Sequence, residues 1–593
     1  MRRTLLVFLA LFGAGIVLVS VMFSRTSQER ADFTYVSGAE PKSLDPAIMT
    51  GQLEGRFAEA MFEGLTYWDP ETLDPVPGMA ERWETSLDEK VWTFHLRRDA
   101  RWSNGEPVTA RDFHWSWRRA LSPELASEYS YMLWDIVGAE DFNKGSLTEF
   151  DRVGITVLDD ATLRVTLKSA VPYFLDLTSF YTLSPVHRPT IERWEADPNA
   201  PPGAWTLPGR VVVNGPYLLE SWVTNDRIRL RRNPGYWNAG AIRLETIDAL
   251  SIEDNTAALN AFLTHEADWN PANWANSLND EVRKLPEFVS TEAFISYYYR
   301  INNTRAHFRD RRVRQAFSMA VDRTELVENI TRLGEKEAYT YVPPGIKGYD
   351  PPPGLRHDPD RARKLLAEAG FPGGRGFPPI EILYNTHEGH RQIATVIARQ
   401  LSETLGIQVH PHNQEWQSYQ SDTQTLKYDL ARAGWIGDYL DPNTFLDMWV
   451  TGGGNNQTGY ASPLYDQLHR ISKDISSFVQ APEESLYGQL VEGEELRRRV
   501  AAAGAVPEME VAERLRLQKP VRMLVFREME QLLCEIDCPI IPLYTYVTKN
   551  LVSRRVGGFH GWLRGPAGER LPNVRDLHPL RGFFVLPRPP GGA

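Results

Sequence analysis

Between Asp429 and Pro442 the chain reads Asp-Leu-Ala-Arg-Ala-Gly-Trp-Ile-Gly-Asp-Tyr-Leu-Asp-Pro, which sets an arginine, a tryptophan and an aspartate around a glycine. These side chains have the chemistry to hold both ends of a zwitterion. Asp438 can pair with an ammonium group, and the planar guanidinium of Arg432 offers a two-pronged donor to a carboxylate. Trp435 supplies a flat, amphipathic wall between them. Gly434 leaves room for another backbone to come close. If the run from Arg432 to Asp438 is extended, the two charges share one face, because side chains alternate along a strand, and they stand roughly 20 Å apart. That spacing suits a short peptide better than a single amino acid. The competing reading is a buried strand with structural ion pairs, which uses the same residue types.

Other chemistry is poorly served by this sequence. His387-Glu-Gly-His390 is one residue short of the zinc-protease motif, whose histidines need an i,i+4 spacing to share a helix face. Gly452-Gly-Gly-Asn-Asn456 lacks the Lys-Ser/Thr of a phosphate loop and reads as a turn. No Gly-x-Ser-x-Gly elbow is present. The two cysteines, Cys534 and Cys538, are too few for a disulfide scaffold or a zinc finger. Their i,i+4 spacing puts them on one face of a helix ended by Pro539, and free buried thiols are expected. The formal charge of −12, from 77 acidic against 65 basic residues, argues against a general nucleic-acid binder.

The elements that must position these residues are legible in outline. A chain of 593 residues needs more than one core. Phe33-Thr-Tyr-Val-Ser and Trp92-Thr-Phe-His-Leu-Arg alternate like strands. Thr109 with Asp112 marks a capped helix start, and Tyr217–Trp222 with Arg227–Leu230 forms a hairpin turning at Asn225-Asp226. In the second half, Asp310 caps a helix striped with Val313, Ala316, Phe317, Ala320 and Val321, and Thr324 is placed to cap the next. A helix runs from Asp358 to Ala369 and is closed by Gly370. Ile380–Tyr384, Arg391–Leu405 and Ile407–His410 then read strand, helix, strand, the rhythm of a mixed or parallel sheet covered by helices. Residues 477–520 are polar and helix-prone and read as an inserted helical hairpin.

At the N-terminus, Arg2 and Arg3 precede an uncharged apolar run from Leu5 to Phe23. Nineteen residues at about 1.5 Å each just span a bilayer core of about 30 Å. The run ends Val19-Ser-Val-Met-Phe-Ser24, a poor cleavage site without a lipid-accepting cysteine. An uncleaved membrane anchor is expected, with the rest of the chain outside the cytoplasm and residues 24–32 as a tether. Signal-peptide cleavage near Ser24 is the alternative.

Several separated landmarks carry a family resemblance. They run in order from Lys42-Ser-Leu-Asp-Pro46 and Phe62-Glu-Gly-Leu65 to Trp102-Ser-Asn-Gly-Glu-Pro-Val-Thr-Ala110, Asn214-Gly-Pro-Tyr217 and Arg232-Asn-Pro-Gly-Tyr-Trp237. Ile301-Asn-Asn303, Arg312-Val-Arg-Gln-Ala316, Asn413-Gln-Glu-Trp416, the Asp429–Pro442 segment and Pro539-Ile-Ile-Pro-Leu-Tyr544 follow. Over about residues 33 to 585 the chain resembles the extracellular solute-binding proteins of ABC importers, family 5, and among these the periplasmic oligopeptide binders.

The resemblance implies an α/β, mixed α+β fold of two lobes joined by a hinge, with a small extra domain and an N-terminal transmembrane helix. Lobe I would comprise 33–62, 191–291 and 547–593, the extra domain 63–190, and lobe II 292–546. It implies a non-catalytic receptor without a cofactor. Such a receptor takes short peptides as extended strands in the cleft and delivers them to an ABC permease in the inner membrane. It would be a periplasmic or otherwise extracytoplasmic monomer that binds no nucleic acid. By the same resemblance Asp438 takes the peptide α-amine, and Arg432 and His390 take the carboxylate of short peptides. Gly434 and the Thr50-Gly51-Gln52 segment pair with the ligand backbone, and Trp416, Trp435, Tyr129 and Tyr546 are pocket walls. Thr423 and Gln424 stand where well-known peptide binders carry basic residues. The alternatives are a family-5 receptor for another solute, such as an oligosaccharide or nickel complex, and a peptide chaperone, sensor or enzyme on the same scaffold. An amine-anchoring aspartate would be idle for a sugar.

Overall fold

The computed structural model describes residues 29–49, 52–69, 72, 74–271, 278–504, 511–559 and 578–586. The expected anchor, Leu5–Phe23, and Gly51 lie outside these residues. Among the described residues no helix is long and apolar enough to cross a membrane.

Two large mixed sheets and a small antiparallel one take their strands from separated parts of the sequence. The first has seven strands, in the order Phe288–Val289, Asn550–Val552, Trp269–Pro271, Phe33–Val36, Thr246–Leu250, Arg227–Arg232 and Tyr217–Val223. Phe33–Val36 runs parallel to Thr246–Leu250, with Phe33 opposite Ile247. All four residues of this strand are buried. The apolar-in, polar-out alternation expected there is therefore lost, because a central parallel strand is covered on both faces. The hairpin Tyr217–Arg232 turns through Asn225 at φ 57°, a left-handed conformation that asparagine tolerates.

The small sheet pairs Ala80–Thr85, Val91–Leu96, Thr162–Thr166 and Ile155–Asp159, all antiparallel. The helix Ala110–Ala120 packs on it behind the reciprocal Thr109/Asp112 capping box.

The second large sheet has six strands, ordered Lys336–Glu337, Ile540–Val547, Glu292–Ile301, Leu430–Ile436, Ile380–Asn385 and Val409–Gln414. Ile380–Asn385 runs parallel to both its neighbours, and the helix Glu388–Leu405 makes the crossover that a parallel pair requires. The flanking helix Arg311–Ala320 is capped by the Asp310 side chain, which accepts from Arg312 N. The next helix is capped by Asp322, which accepts from the backbone of Thr324 and Glu325. Thr324 is therefore a capped residue rather than the cap.

Among the described residues, the stretch 475–531 holds four helices rather than a two-helix hairpin: Ile475–Gln480, Glu484–Tyr487, Gly493–Gly504 and Val511–Gln531. Leu486, Leu496 and Val500 share one core with Phe526, Met529 and Trp449, so this stretch is packed into the domain. The last helix ends in a wider turn, Leu532–Ile536. Cys538 falls beyond it at φ 48°, so the two thiols do not share a regular helix face. Both are free and buried. The chain passes twice between the two large sheets, near residues 290 and 548, and the crossings are bound together. Thr548 N donates to Thr291 O at 2.8 Å, and the two threonine hydroxyls lie 2.7 Å apart.

Candidate functional site

The segment singled out in the sequence forms the strand Leu430–Ile436. One edge is paired along its whole length with Glu292–Ile301, from Ile295–Ile436 to Ile301–Leu430. The other edge meets Ile380–Asn385 only at Leu430 and Ala431. From Arg432 to Ile436 that second edge carries no strand among the described residues. The hydrogen bonds fix which residues face it. Asp429 O accepts from Asn302 N, and Gly437 N donates to Phe294 O at 2.9 Å. Odd-numbered residues therefore turn their peptide groups to the paired side, and 432, 434 and 436 turn theirs to the open side. Arg432 O is taken by the Tyr419 hydroxyl; the N–H and C=O of Gly434 are left presented. A Cβ on Gly434 would meet nothing closer than 3.6 Å, so its own packing does not demand glycine. What the glycine leaves bare is a backbone edge, the template for a further strand.

At one end of this edge stands Arg432. Its Nη1 donates to Asn385 Oδ1 at 3.4 Å and its Nη2 to the Tyr546 hydroxyl at 3.5 Å, both long. The guanidinium carbon sits 5.1 Å from the centre of the Tyr297 ring. Nε is buried without a hydrogen-bond partner, and no carboxylate pairs with the group among the described residues. A guanidinium drawn out of water normally has an acid beside it. Tyr297 stacks on Tyr544 at 4.7 Å and hydrogen-bonds His390 Nδ1 at 3.2 Å. Burial and the adjacent Arg432 push the His390 imidazole down to about 3, so it stays neutral and keeps one N–H to donate.

At the other end the strand stops at Ile436, and Gly437 and Asp438 leave it. A Cβ on Gly437 would lie 2.2 Å from the Phe294 ring, so this turn requires glycine. The alternation that would put Arg432 and Asp438 on one strand face thus ends two residues early. Thr444 fixes the turn: Asp438 N donates to its hydroxyl at 3.0 Å, and Trp435 Nε1 to its carbonyl at 2.7 Å. The Asp438 carboxylate accepts from the hydroxyl of Tyr131, 3.0 Å away and 307 residues earlier. Tyr129 stands beside Tyr131, ring centres 6.0 Å apart, and packs edge-on to Phe180. Burial, then the nearby Asp438, raises its phenol. Behind Asp438 and Trp435 opens a cavity of about 550 Å³.

The structure thus groups Arg432, His390 and Tyr546 at one end, Asp438, Trp435 and Tyr129 at the other, and Gly434 between them. Trp416 opens the helix Trp416–Gln424, and its side chain lies outside what is described. Gln52 opens the helix Gln52–Met61 and is exposed. Thr423 is buried and bonds back to Gln420 O, so it offers no charge to a ligand. Sequence reasoning missed Tyr297, Asn385, Tyr131 and Tyr419. The run Tyr297-Tyr-Tyr299 was a visible signal of an aromatic strand; nothing local tied Tyr131 to Asp438.

Residues 74–457 match the family model described as bacterial extracellular solute-binding proteins, family 5 Middle. The chain is 34% identical over 535 residues to the periplasmic oligopeptide-binding protein OppA of Salmonella typhimurium, covering 88% of this chain and 89% of that protein. It is similar to the unliganded open form of the periplasmic murein tripeptide binding protein MppA, with TM-score 0.74, 28% identity, and 94% and 98% of the two chains covered. The complex of Haemophilus influenzae OppA with RPPGFSPFR is similar at TM-score 0.67 and 28% identity, over 94% and 99%.

Proposed function

Because the chain belongs to the bacterial extracellular solute-binding proteins of family 5, we propose that it captures short oligopeptides outside the cytoplasm and hands them to an ABC permease. It is a mixed α/β, two-lobed binding protein and a receptor, not an enzyme. The observation that carries the peptide reading is the half-open strand Arg432–Ile436, with Asp438 at one end and, at the other, an arginine that no acid pairs with among the described residues. An extended peptide adds to that edge as a strand, bonding the N–H and C=O of Gly434. Its α-ammonium pairs with Asp438, and the carboxylate of a short peptide supplies the anion that Arg432 lacks, with a donor from neutral His390. The extended run from Arg432 to Ile436 spans roughly 13 Å, which with the reach of the two end side chains suits a peptide of about three or four residues. Trp435, Tyr129, Tyr546 and Trp416 wall the side-chain pockets, and Gly51 and Gln52 add backbone contacts from lobe I.

The same proposal assigns lobe I to 33–62, 191–291 and 547–593, the extra domain to 63–190 and lobe II to 292–546. The strand membership of the three sheets supports this division. Hinge closure about the Thr291–Thr548 crossings brings the lobes together. The receptor acts as a monomer, held to the membrane by the apolar run Leu5–Phe23, which keeps it near its permease at raised effective concentration. The test is mass spectrometry of small molecules released by denaturing the natively purified chain from Asp32 onward. A mixture of short peptides with free N-termini is expected; a sugar or a metal chelate would sink the peptide reading.

A further inference from the structure

The edge left open beside Gly434 is short, and a side chain ends it. Ile380–Asn385 follows the strand Leu430–Ile436 only as far as the parallel pair of Leu383 with Ala431. In a parallel ladder the bonds run to the residues flanking the paired one. Leu383 therefore engages Leu430 O and Arg432 N, and Arg432 O is the first acceptor left on that side. That acceptor is occupied, because the Tyr419 hydroxyl donates to it. Tyr419 comes from the helix Trp416–Gln424 and is buried, packed with Leu383, Tyr428 and Ala431. Its backbone N–H is bound to Glu415 O at 2.9 Å, so ring and main chain are both held. Burial raises the phenol against the opposing pull of Arg300 and Arg432, and it keeps the proton that it donates. Among the described residues, Gly434 and Ile436 are what remains of the edge.

We propose that the Tyr419 hydroxyl sets the length of peptide that the receptor prefers, by ending the ligand's ladder at Gly434; this rests on the peptide reading given above. With its α-amine at Asp438, the peptide runs antiparallel to Leu430–Ile436, and its first residue falls opposite Trp435 or Ile436. The residue opposite Gly434 is then the second or the third, and it exchanges both backbone bonds with the glycine. Two positions further on, the fourth or fifth residue turns its N–H toward Arg432 O and finds that acceptor already bonded to Tyr419. From there each added residue gains no hydrogen bond from this strand, yet its ordering still costs backbone entropy. A tripeptide loses nothing by the cap, since its carboxylate has by then reached the Arg432 side chain. Tyr419 is thus a positioning residue: it touches the strand and not the peptide.

Calorimetry on the full chain, stripped of bound ligand, tests this with trialanine, tetraalanine, pentaalanine and hexaalanine. In Tyr419→Phe the freed Arg432 carbonyl takes a peptide N–H, and the hexaalanine-to-trialanine affinity ratio should rise about fivefold over wild type, the step falling at the fourth or fifth residue. A tyrosine with a merely structural role would lower the melting temperature and both affinities alike. A ratio that stays at its wild-type value therefore overturns the inference and leaves the peptide reading standing. If the variant does not fold, single backbone N-methylation of hexaalanine tests the same point on the wild type. Methylation of whichever of the second and third residues faces Gly434 should cost about tenfold, and methylation of the fourth or fifth less than about threefold. A tenfold loss at the fourth or fifth residue overturns the inference. Failure of every one of the four alanine peptides to bind the wild type would remove the peptide reading as well.

Discussion

The two ends of the open strand are built on different plans. The Arg432 end is built around one sheet: Tyr297, Tyr544 and Tyr546 come from adjacent strands, Asn385 from the end of a third, and His390 from the crossover helix that follows it. It holds the Arg432 charge against aromatic rings, with no acid paired to it among the described residues. The Asp438 end is assembled across two parts of the molecule. Tyr131 reaches Asp438, Tyr173 lies flat on Tyr439 at 4.3 Å, and Leu440 N donates to Asp176 Oδ2 at 2.7 Å. It carries charges of both signs. On the proposed reading the carboxylate end is a fixed platform, while the amine end is complete only with both walls in contact. The proposal therefore couples recognition of the α-amine to closure in a way that it does not couple recognition of the carboxylate.

The sharpest way to break this contrast is Asp438→Asn. It leaves the ammonium without its charge partner, and peptide affinity should fall at least ~100-fold, about 3 kcal/mol. Unchanged affinity by calorimetry would remove Asp438 from the site. Arg432→Met should cost less, about tenfold on tripeptides, and less again on peptides whose carboxylate lies beyond its reach. Because no acid pairs with Arg432 among the described residues, its replacement by an apolar side chain should keep or raise the melting temperature. A marked drop in that temperature would mean that the arginine is structural.

The smallest effect separates the two ends by pH. His390 stays neutral down to about 3, so its own ring does not titrate between pH 8 and 5. Asp447 does, with a carboxyl at about 6 among Asp438, Asp135, Asp441 and Lys473, and His469 is already neutral across that range. An α-ammonium on Asp438 favours the ionised form of Asp447, so lowering pH through 6 should shrink the affinity ratio of a free tripeptide to its N-acetylated form by a few-fold. Glu530, buried in the same half of the chain and pushed up to about 7 chiefly by burial, affects both peptides equally and drops out of the ratio. His390→Gln should leave that pH profile in place, and Asp447→Asn should flatten it. A ratio that is constant with pH in the wild type would place the titrating group elsewhere.

What was legible in the sequence was local. The Thr109/Asp112 box, the Asp310 cap and the Asn225 turn each depend on neighbours within a few residues, and each is present. The pairing of Arg432 with Asp438 was legible as composition. Its geometry was not: the strand stops at Ile436 because Gly437 must clear Phe294, a contact made across the sheet. Asp322 displaced Thr324 as a cap because a carboxylate two residues earlier serves two backbone donors at once. Tyr131, Asp135 and Tyr173 reach the amine end from some 300 residues away, and no periodicity marks such a meeting. The open edge itself is a property of where a neighbouring strand diverges, which sequence alternation does not encode.

The central claim is that a free peptide α-amine is held by Asp438 beside an open strand. Titration of the ligand-free protein with a tripeptide and with its N-acetylated form tests it most directly. Binding of the free tripeptide with at least ~100-fold loss on acetylation is the predicted result. Equal binding of the two would contradict the account.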